Sequence, residues 1–373
     1  MAGAEAIQTI SRLTPLADVL ALIDTEVKSI TQRTIDVSAA IGRALASDAV
    51  APARPASSLA LQDGWALSAD ETLGAGGYAP SPLMRTPSRI EAGQTLPAGT
   101  DSVAPLDAIK ITNGHAEALV AINPGDGVLA AGCDNDSAIP LRRAGERLRV
   151  TDLAAFAATG IARIMVREPR VRVLPLRGSA IISAAARLVT ADIERRGGAA
   201  RLDESGRGLD VAMAAESFDA IVAIGGTGSG RNDNSVQILA REGRLAVHGV
   251  ALTPGETAAL GFVGPRPVLL LPGRLDAALS VWLVVGRRLL DRLAAAKSSE
   301  NDPAEMLPLA RKVTSTVGLA EVVPIRRSGG QAEPLANKYL PLSSLARSDG
   351  WILVPPDSEG YSSGSPVQIR PWP

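Results

Sequence analysis

A run of three strand–loop–helix units between Val171 and Ala296 restricts the fold more than any other feature of this sequence. Val171 to Leu174 leads through Arg177-Gly178 into a helical stretch that reaches Arg196 and is stopped by Gly197-Gly198. Asp219 to Ile224 leads through Gly225-Gly226-Thr227-Gly228-Ser229-Gly230 into a helix starting near Asp233. Val268 to Leu271 leads through Pro272-Gly273 into a long helix over Ala277 to Ala296. Strands that alternate with helices pair in parallel, because the return helix must cross one face of the sheet. The expectation is therefore a multi-domain α/β protein with a doubly wound parallel sheet at its centre. At 373 residues the chain is too long for one ordinary core.

The flanking segments read differently. Thr14 suits a helix cap and Pro15 a first turn, with Leu16, Val19, Leu20, Ile23 and Val27 on one face. A second helix is predicted over Ser38 to Ala46, and another from Asp152 to Ala158, ended by Gly160. From about Pro52 to Pro140 short apolar stretches alternate with Gly, Pro, Ser and Thr, which predicts a small β domain. After about 302 the texture is again β-like, with alternation in Ala320 to Ile325 and Trp351 to Val354. The expected domains are 13–52 with 141–168 (a linker domain), 53–140 (an inserted β domain), 169–298 (α/β) and 302–373 (C-terminal β).

Charge and composition exclude several functions. A net charge of −1 with no basic stripe argues against nucleic acid as a partner. The longest apolar runs, such as Val268 to Leu271 and Val281 to Val285, are too short for a membrane span. Met1 to Arg12 lacks the basic start and apolar core of a secretory signal, so a cytoplasmic protein is expected. One cysteine, Cys133, and two histidines, His115 and His248, build neither a disulfide framework nor a zinc-type cluster. Trp282 is expected to pack on the sheet, and Trp65 in a core or at a domain interface.

In a doubly wound sheet ligands bind beyond the carboxyl ends of the strands. All three glycine-bearing loops are expected at such ends. Four glycines among Gly225 to Gly230 allow backbone N–H groups to turn inward and cradle an anion at a helix N-terminus. No Gly-Lys-Ser/Thr follows, so the loop is not a Walker A sequence. Each loop also carries one arginine beside its glycine: Arg177, Arg231 and Arg274. Three cations in one crevice would attract a phosphorylated ligand. Asp233 is expected either to cap its helix or to face the site and hold a hydrated cation.

Taken in order, these residues resemble the molybdopterin molybdotransferase family (MoeA and the gephyrin E domain) from about Leu13 to Val367. Ala40 to Ala46 resembles a family helix end, and Gln62-Asp63-Gly64-Trp65-Ala66 is similar to its Met-Asp-Gly-Tyr-Ala. Leu96 to Val103 resembles Val-Pro-x-Gly-Ala-Asp-Ala-Val, and Gly132-Cys133-Asp134 resembles Gly-Glu-Asp. Gly225 to Asp233 resembles Gly-Gly-Val-Ser-Val-Gly-x-x-Asp, and Leu271-Pro272-Gly273 resembles Leu-Pro-Gly-Asn-Pro. The tail from Leu342 to Val367 resembles the family's C-terminal β domain.

The resemblance implies an α/β domain that holds molybdopterin, an elongated homodimer, and a crevice shared between subunits. The implied reaction inserts molybdate into adenylylated molybdopterin with Mg²⁺ and releases AMP. It marks Asp63, Asp134 and Asp233 as catalytic carboxylates, with Asp233 also the metal ligand and Asp203 on a looser alignment. The ligand-binding positions are Gly225, Gly226, Thr227, Gly228, Ser229, Gly230, Arg231, Pro254, Gly255, Pro272, Gly273, Arg274 and Arg177. The sequence departs from the family where catalysis would lie. Thr253-Pro254-Gly255-Glu256-Thr257 stands for Lys-Pro-Gly-Lys-Pro, and Arg177-Gly178-Ser179-Ala180-Ile181 for Thr-Gly-Asp-Glu-Leu. Ala92-Gly93-Gln94 stands for Thr-Gly-Ala, and Arg274-Leu275 for Asn-Pro. Three readings follow: an active transferase, a non-catalytic molybdopterin carrier or partner for a maturing molybdoenzyme, and a dimeric scaffold without ligand.

Overall fold

The structure is a computed structural model that describes residues 8–297 and 305–373. The expected boundaries at 298 and 302, and positions 1–7 of the Met1 to Arg12 stretch, lie outside the described residues. The chain forms two compact units. One comprises Asp48–Arg143 with Ala154–Ala162; the other comprises Met1–Ser47, Ala144–Leu153 and Arg163–Pro373.

The smaller unit is built as its turn-rich sequence suggests. Short strands, among them Gly64–Leu67, Ser102–Ala104 and Ile109–Thr112, make small antiparallel sheets. Two modest cores hold it together, one around Leu67, Ala104 and Ile109 and one around Ala60, Ile90 and Val103. Trp65 packs half-buried against the first.

The larger unit centres on a sheet of six strands. In chain order these are β1 (Arg170–Pro175), β2 (Ala199–Leu202), β3 (Ala220–Ile224), β4 (Arg244–His248), β5 (Ala259–Val263) and β6 (Arg266–Leu271). Their order across the sheet is β2-β1-β3-β6-β5-β4. The first four run parallel, as the strand–helix rhythm predicts. The last two pair antiparallel, so the sheet is mixed rather than wholly parallel. The two added strands form a hairpin-like return on the side of β6, which the three-unit rhythm does not encode.

The helices are, in chain order, α1 (Leu16–Glu26), α2 (Val150–Ala158), α3 (Ala180–Arg195), α4 (Leu209–Ala214), α5 (Ser235–Glu242), α6 (Leu275–Val281) and α7 (Arg287–Ala294). Helices α1, α3, α6 and α7 share a core with Val171, Val173, Val222, Ile224 and Leu269. On the opposite face α4 and α5 pack over Ile221, Ala223, Val268 and Leu270. Both faces are covered, which is why β3 reads Ala-Ile-Val-Ala-Ile with every residue buried.

Three local expectations are corrected. Thr14 does not cap α1: Pro15 occupies that position, while Thr14 pairs with Val250 and Gly249 as an extended segment. Ser38 to Ala46 is not a helix. It is a short turn at Val37–Ala39 followed by strand Ala44–Leu45, which pairs with Val166 and Arg167. Gly42 explains the break, because it sits at φ +76° with its missing Cβ position 2.7 Å from the Arg195 carbonyl oxygen. The reciprocal site is tighter still, since a Cβ on Gly197 (φ +73°) would lie 2.3 Å from the Gly42 carbonyl oxygen. The long helix expected over Ala277 to Ala296 starts at Leu275, widens into a π-helical stretch at Trp282–Gly286, and ends at Ala294.

The C-terminal region is β-rich, with a short helix at Leu342–Arg347. Strand Ala320–Ser328 alternates as expected, yet both of its faces are covered. Ala320 and Val322 face the central core with Trp351, whereas Val323 and Ile325 face a second core with Ile352 and Val354.

A buried carboxylate ties α3 to the last helices. Asp192, 1% exposed, accepts hydrogen bonds from Trp282 Nε1 (2.8 Å) and from Arg287 Nε (2.8 Å) and Nη2 (3.0 Å). Burial pushes its carboxyl up, but the Arg287 hydrogen bond and charge, Trp282 and Arg196 outweigh this and hold it below its usual range. Asp192→Asn strands the buried Arg287 cation and should lower stability by about 3–5 kcal/mol in urea unfolding. Because the folded carboxyl is depressed, its contribution is complete above pH ~4 and fades as pH falls through the lower folded value. Acid titration of wild type should therefore show a loss of stability below pH ~4 that Asp192→Asn lacks.

Candidate functional site

The sheet order places a reversal between β1 and β3: the chain leaves β1 toward β2 on one side and leaves β3 toward the other. At such a reversal the loops diverge and leave a crevice beyond the strand ends. Main-chain bonds from Leu176 N to Ile224 O (3.0 Å) and from Gly225 N to Leu271 O (2.9 Å) hold the three strand ends level. The loops after β1, β3 and β6 consequently open onto one cavity of about 340 Å³.

Nine of the residues anticipated from sequence line it: Arg177, Gly225, Gly226, Thr227, Gly228, Asp233, Pro272, Gly273 and Arg274. Ser229, Gly230 and Arg231 continue the same loop but sit exposed outside the cavity lining. Pro254 and Gly255 are buried beneath it in a turn that begins with the cis Thr253–Pro254 bond. A Cβ on Gly255 (φ +142°) would lie 2.5 Å from Val281 Cγ2, so the turn packs directly on α6. Asp63 and Asp134 belong to the smaller unit, where both are exposed and Asp63 accepts the Ala92 N–H at 2.9 Å.

The three arginines are not equivalent. Arg177 pairs with Asp233 and also donates to the Asn232 carbonyl. Arg274 is gripped by Asp276, with Nε at 3.1 Å and Nη2 at 2.5 Å, and its guanidinium lies 5.0 Å from the Tyr339 ring centre. The Asp276 hydrogen bond is the main reason its pKa is raised. Arg231 has no hydrogen-bond or ion-pair partner among the described residues. The side-chain charge around the cavity is thus largely compensated, and main-chain donors carry much of its anion-attracting character.

Asp233 does not cap its helix. The helix cap is Asn234, and Asp233 instead closes the glycine loop by accepting the Gly230 N–H at 3.3 Å while it pairs with Arg177. Among the described residues no three His, Cys, Asp or Glu side chains converge as a metal site. Asp203 lies at the end of β2 rather than at the cavity, where Ser205 and Arg172 hold its carboxyl far below the usual range.

Sequence reasoning missed several contributors. Ile182, in the first turn of α3, and Thr257 line the cavity. Thr257 lay inside a segment singled out only for its lost lysines, and its hydroxyl meets Thr227 Oγ1 at 3.0 Å. The least expected is Gln8. Its amide donates to the carbonyls of Gly226 (3.0 Å) and Gly228 (2.8 Å) and accepts from the N–H of Val236 (3.0 Å) and Gln237 (3.2 Å). No local signal marks a contact that spans more than two hundred residues of sequence.

Comparison with known proteins agrees with this arrangement. Residues 5–160 match the family model of the MoeA N-terminal region (domain I and II), and 306–372 that of the MoeA C-terminal region (domain IV). Residues 201–292 match a model described as "Probable molybdopterin binding domain". A relative from Methanocaldococcus jannaschii, named for molybdopterin biosynthesis, is 24% identical over 90% of this chain and 91% of its own. Two solved structures of a molybdopterin biosynthesis MoeA protein from Pyrococcus horikoshii superpose with TM-scores of 0.78 and 0.77. They are 23% and 21% identical and cover 97% and 96% of this chain and 100% of their own. A Pyrococcus furiosus molybdenum cofactor biosynthesis protein gives 0.60 at 21% identity, over 96% of this chain and 99% of its own. At these identities the structures speak for the fold.

The Thr227–Thr257 contact offers a direct check on the cavity wall. Thr227 is 2% exposed, so Thr257→Val leaves its hydroxyl buried without a side-chain partner. The expected cost is about 1–3 kcal/mol, read as a lower urea midpoint at unchanged slope.

Proposed function

The chain belongs to the MoeA family, and on that basis we propose that it is a molybdopterin-binding protein of molybdenum-cofactor biosynthesis. The observation that carries the reading is the cavity at the sheet reversal, lined by a glycine loop and by Arg177 and Arg274. Glycines bring main-chain N–H groups close to a ligand, and helix N-termini add positive potential. The N-cap positions of α3 and α6, at Ser179 and Arg274, carry no capping side chain. The phosphate-bearing end of molybdopterin or its adenylylated form suits this surroundings.

Under this reading molybdate is inserted into adenylylated molybdopterin and AMP is released. Arg231 and Arg274 supply cations for phosphate or molybdate oxygens, and Arg177 orients Asp233. The residues fit Mg²⁺ in a limited way. One carboxylate, already paired with arginine, suits an ion that keeps its waters and arrives on phosphate oxygens rather than in a protein cage. Mg²⁺ held by Asp233 would supply charge neutralisation at the phosphate. Asp63 and Asp134 complete the proposed carboxylate set, and a homodimer and a cofactor-biosynthesis or molybdoenzyme partner belong to the same proposal.

A second reading, a carrier that binds without turnover, is favoured by the turn that replaces the family's lysines. There Glu256 accepts from Thr253 Oγ1 (2.6 Å) and Gly255 N (3.0 Å), so its charge is absorbed by its own turn. The deciding assay is AMP release from adenylylated molybdopterin with and without molybdate and Mg²⁺, with pterin binding measured in the same samples. Molybdate-dependent release establishes the transferase; binding without release establishes the carrier. Arg231→Ala with Arg274→Ala should weaken pterin binding at least about tenfold, the loss of one charge-assisted hydrogen bond or more. Unchanged affinity removes the arginines from the site.

A further inference from the structure

We infer that Gln8 is a positioning residue that sets the ligand-receiving shape of the glycine loop. The inference rests on the molybdopterin-binding reading above, and deepens it by naming what orients the donors. Gln8 is 7% exposed, and its single amide joins both sides of the turn. Its two N–H bonds take the carbonyls of Gly226 and Gly228, and its oxygen accepts the N–H groups of Val236 and Gln237 in the first turn of α5.

The consequence follows from peptide planarity. In a trans peptide the carbonyl and the next N–H point in opposite directions. The Gly226 carbonyl, which also accepts from Ser235 Oγ (2.7 Å) and Ser235 N (3.2 Å), and the Gly228 carbonyl both point toward Gln8, so the N–H groups of Thr227 and Ser229 are directed away from it. Neither N–H has a hydrogen-bond partner among the described residues. Gln8 thereby leaves the Thr227 N–H as an oriented donor at the cavity and the Ser229 N–H on the exposed stretch of the same loop, while it satisfies the α5 donors at Val236 and Gln237. Its neutrality matters equally: a carboxylate at this position would cap α5 well but would repel both loop carbonyls and ligand.

The segment that carries Gln8 is itself anchored. Thr14 N donates to Gly249 O at 2.9 Å and Ala251 N to Thr14 O at 2.8 Å. At Gly249 (φ +95°) a Cβ would lie 2.6 Å from Ile10 Cγ2, so this backbone approaches Ile10 as only glycine permits. The beginning of the described chain thus reaches the site at fixed register.

Two variants of the full-length protein test the inference. Gln8→Met keeps side-chain length and apolar bulk but makes none of the four bonds. Gln8→Glu keeps the acceptor for Val236 and Gln237 and loses both donors. Each is measured for amide hydrogen exchange, thermal midpoint and affinity for adenylylated molybdopterin, with wild type as the binding control. Gln8→Met should speed exchange at Val236 and Gln237 and weaken ligand binding, each about tenfold. Gln8→Glu should retain protection at those amides, yet bind at least about tenfold more weakly. Wild-type affinity in Gln8→Glu would reduce Gln8 to an ordinary helix cap and overturn the inference. So would unchanged exchange in Gln8→Met. If wild type itself fails to bind, the binding reading falls, and exchange alone decides whether Gln8 holds the loop.

Discussion

One buried carboxylate fastens the helix that begins at the crevice to the last helices of the larger unit. Helices α3 and α6 begin after the loops that carry Arg177 and Arg274 to the cavity. The sheet fixes those loops at one end. Further along, Asp192 fastens α3 to Trp282 and Arg287, which continue α6 into α7. Bonds from Trp282, Arg287 and Arg195 satisfy a charge that burial alone would reject, and those from Trp282 and Arg287 tie α3 to the end of α6 and to α7. The π-helical stretch at Trp282–Gly286 is where α6 passes into α7, and it carries the indole that reaches Asp192.

What was legible in the sequence follows a physical divide. The three strand–loop–helix units show in the apolar runs of β1, β3 and β6, because strands covered on both faces must be apolar throughout. The loops between them announce themselves by glycine, since only glycine combines tight turning with close approach. Strands β4 and β5 were invisible for the opposite reason: a β-return on a parallel sheet needs no helix and breaks the rhythm that marks the others. Ser38 to Ala46 misled because Ile41 and Leu45 sit at helical spacing, whereas the backbone there is set by the approach of Gly42 to Gly197. The arginines illustrate a further limit. Their places beside the loops could be read, but not that Asp233 and Asp276 would engage two of them.

Under the proposed molybdopterin-binding reading, the turn Thr253 to Thr257 bears on how an anion would be attracted. This turn holds a hydroxyl, a self-contained glutamate and a threonine bonded across to Thr227. Attraction then depends less on mobile side-chain charge and more on main-chain dipoles held at fixed angles. Fixed dipoles need no reorganisation when a ligand arrives, but they work only while the backbone keeps its geometry. That shifts importance from individual cations to the residues that brace the loop.

Strand Ala320–Ser328 bears on a separate matter, the cooperativity of the larger unit. Its successive side chains serve two different cores, one of them shared with the central sheet through Ala320 and Val322. Peeling the C-terminal region away would uncover hydrophobic surface on both sides of one strand. The C-terminal segment is therefore not an appendage that frays independently, and damage to its second core is transmitted to the framework beneath the crevice. Proteases that probe transient openings would meet this region and the central sheet as a single unit of resistance.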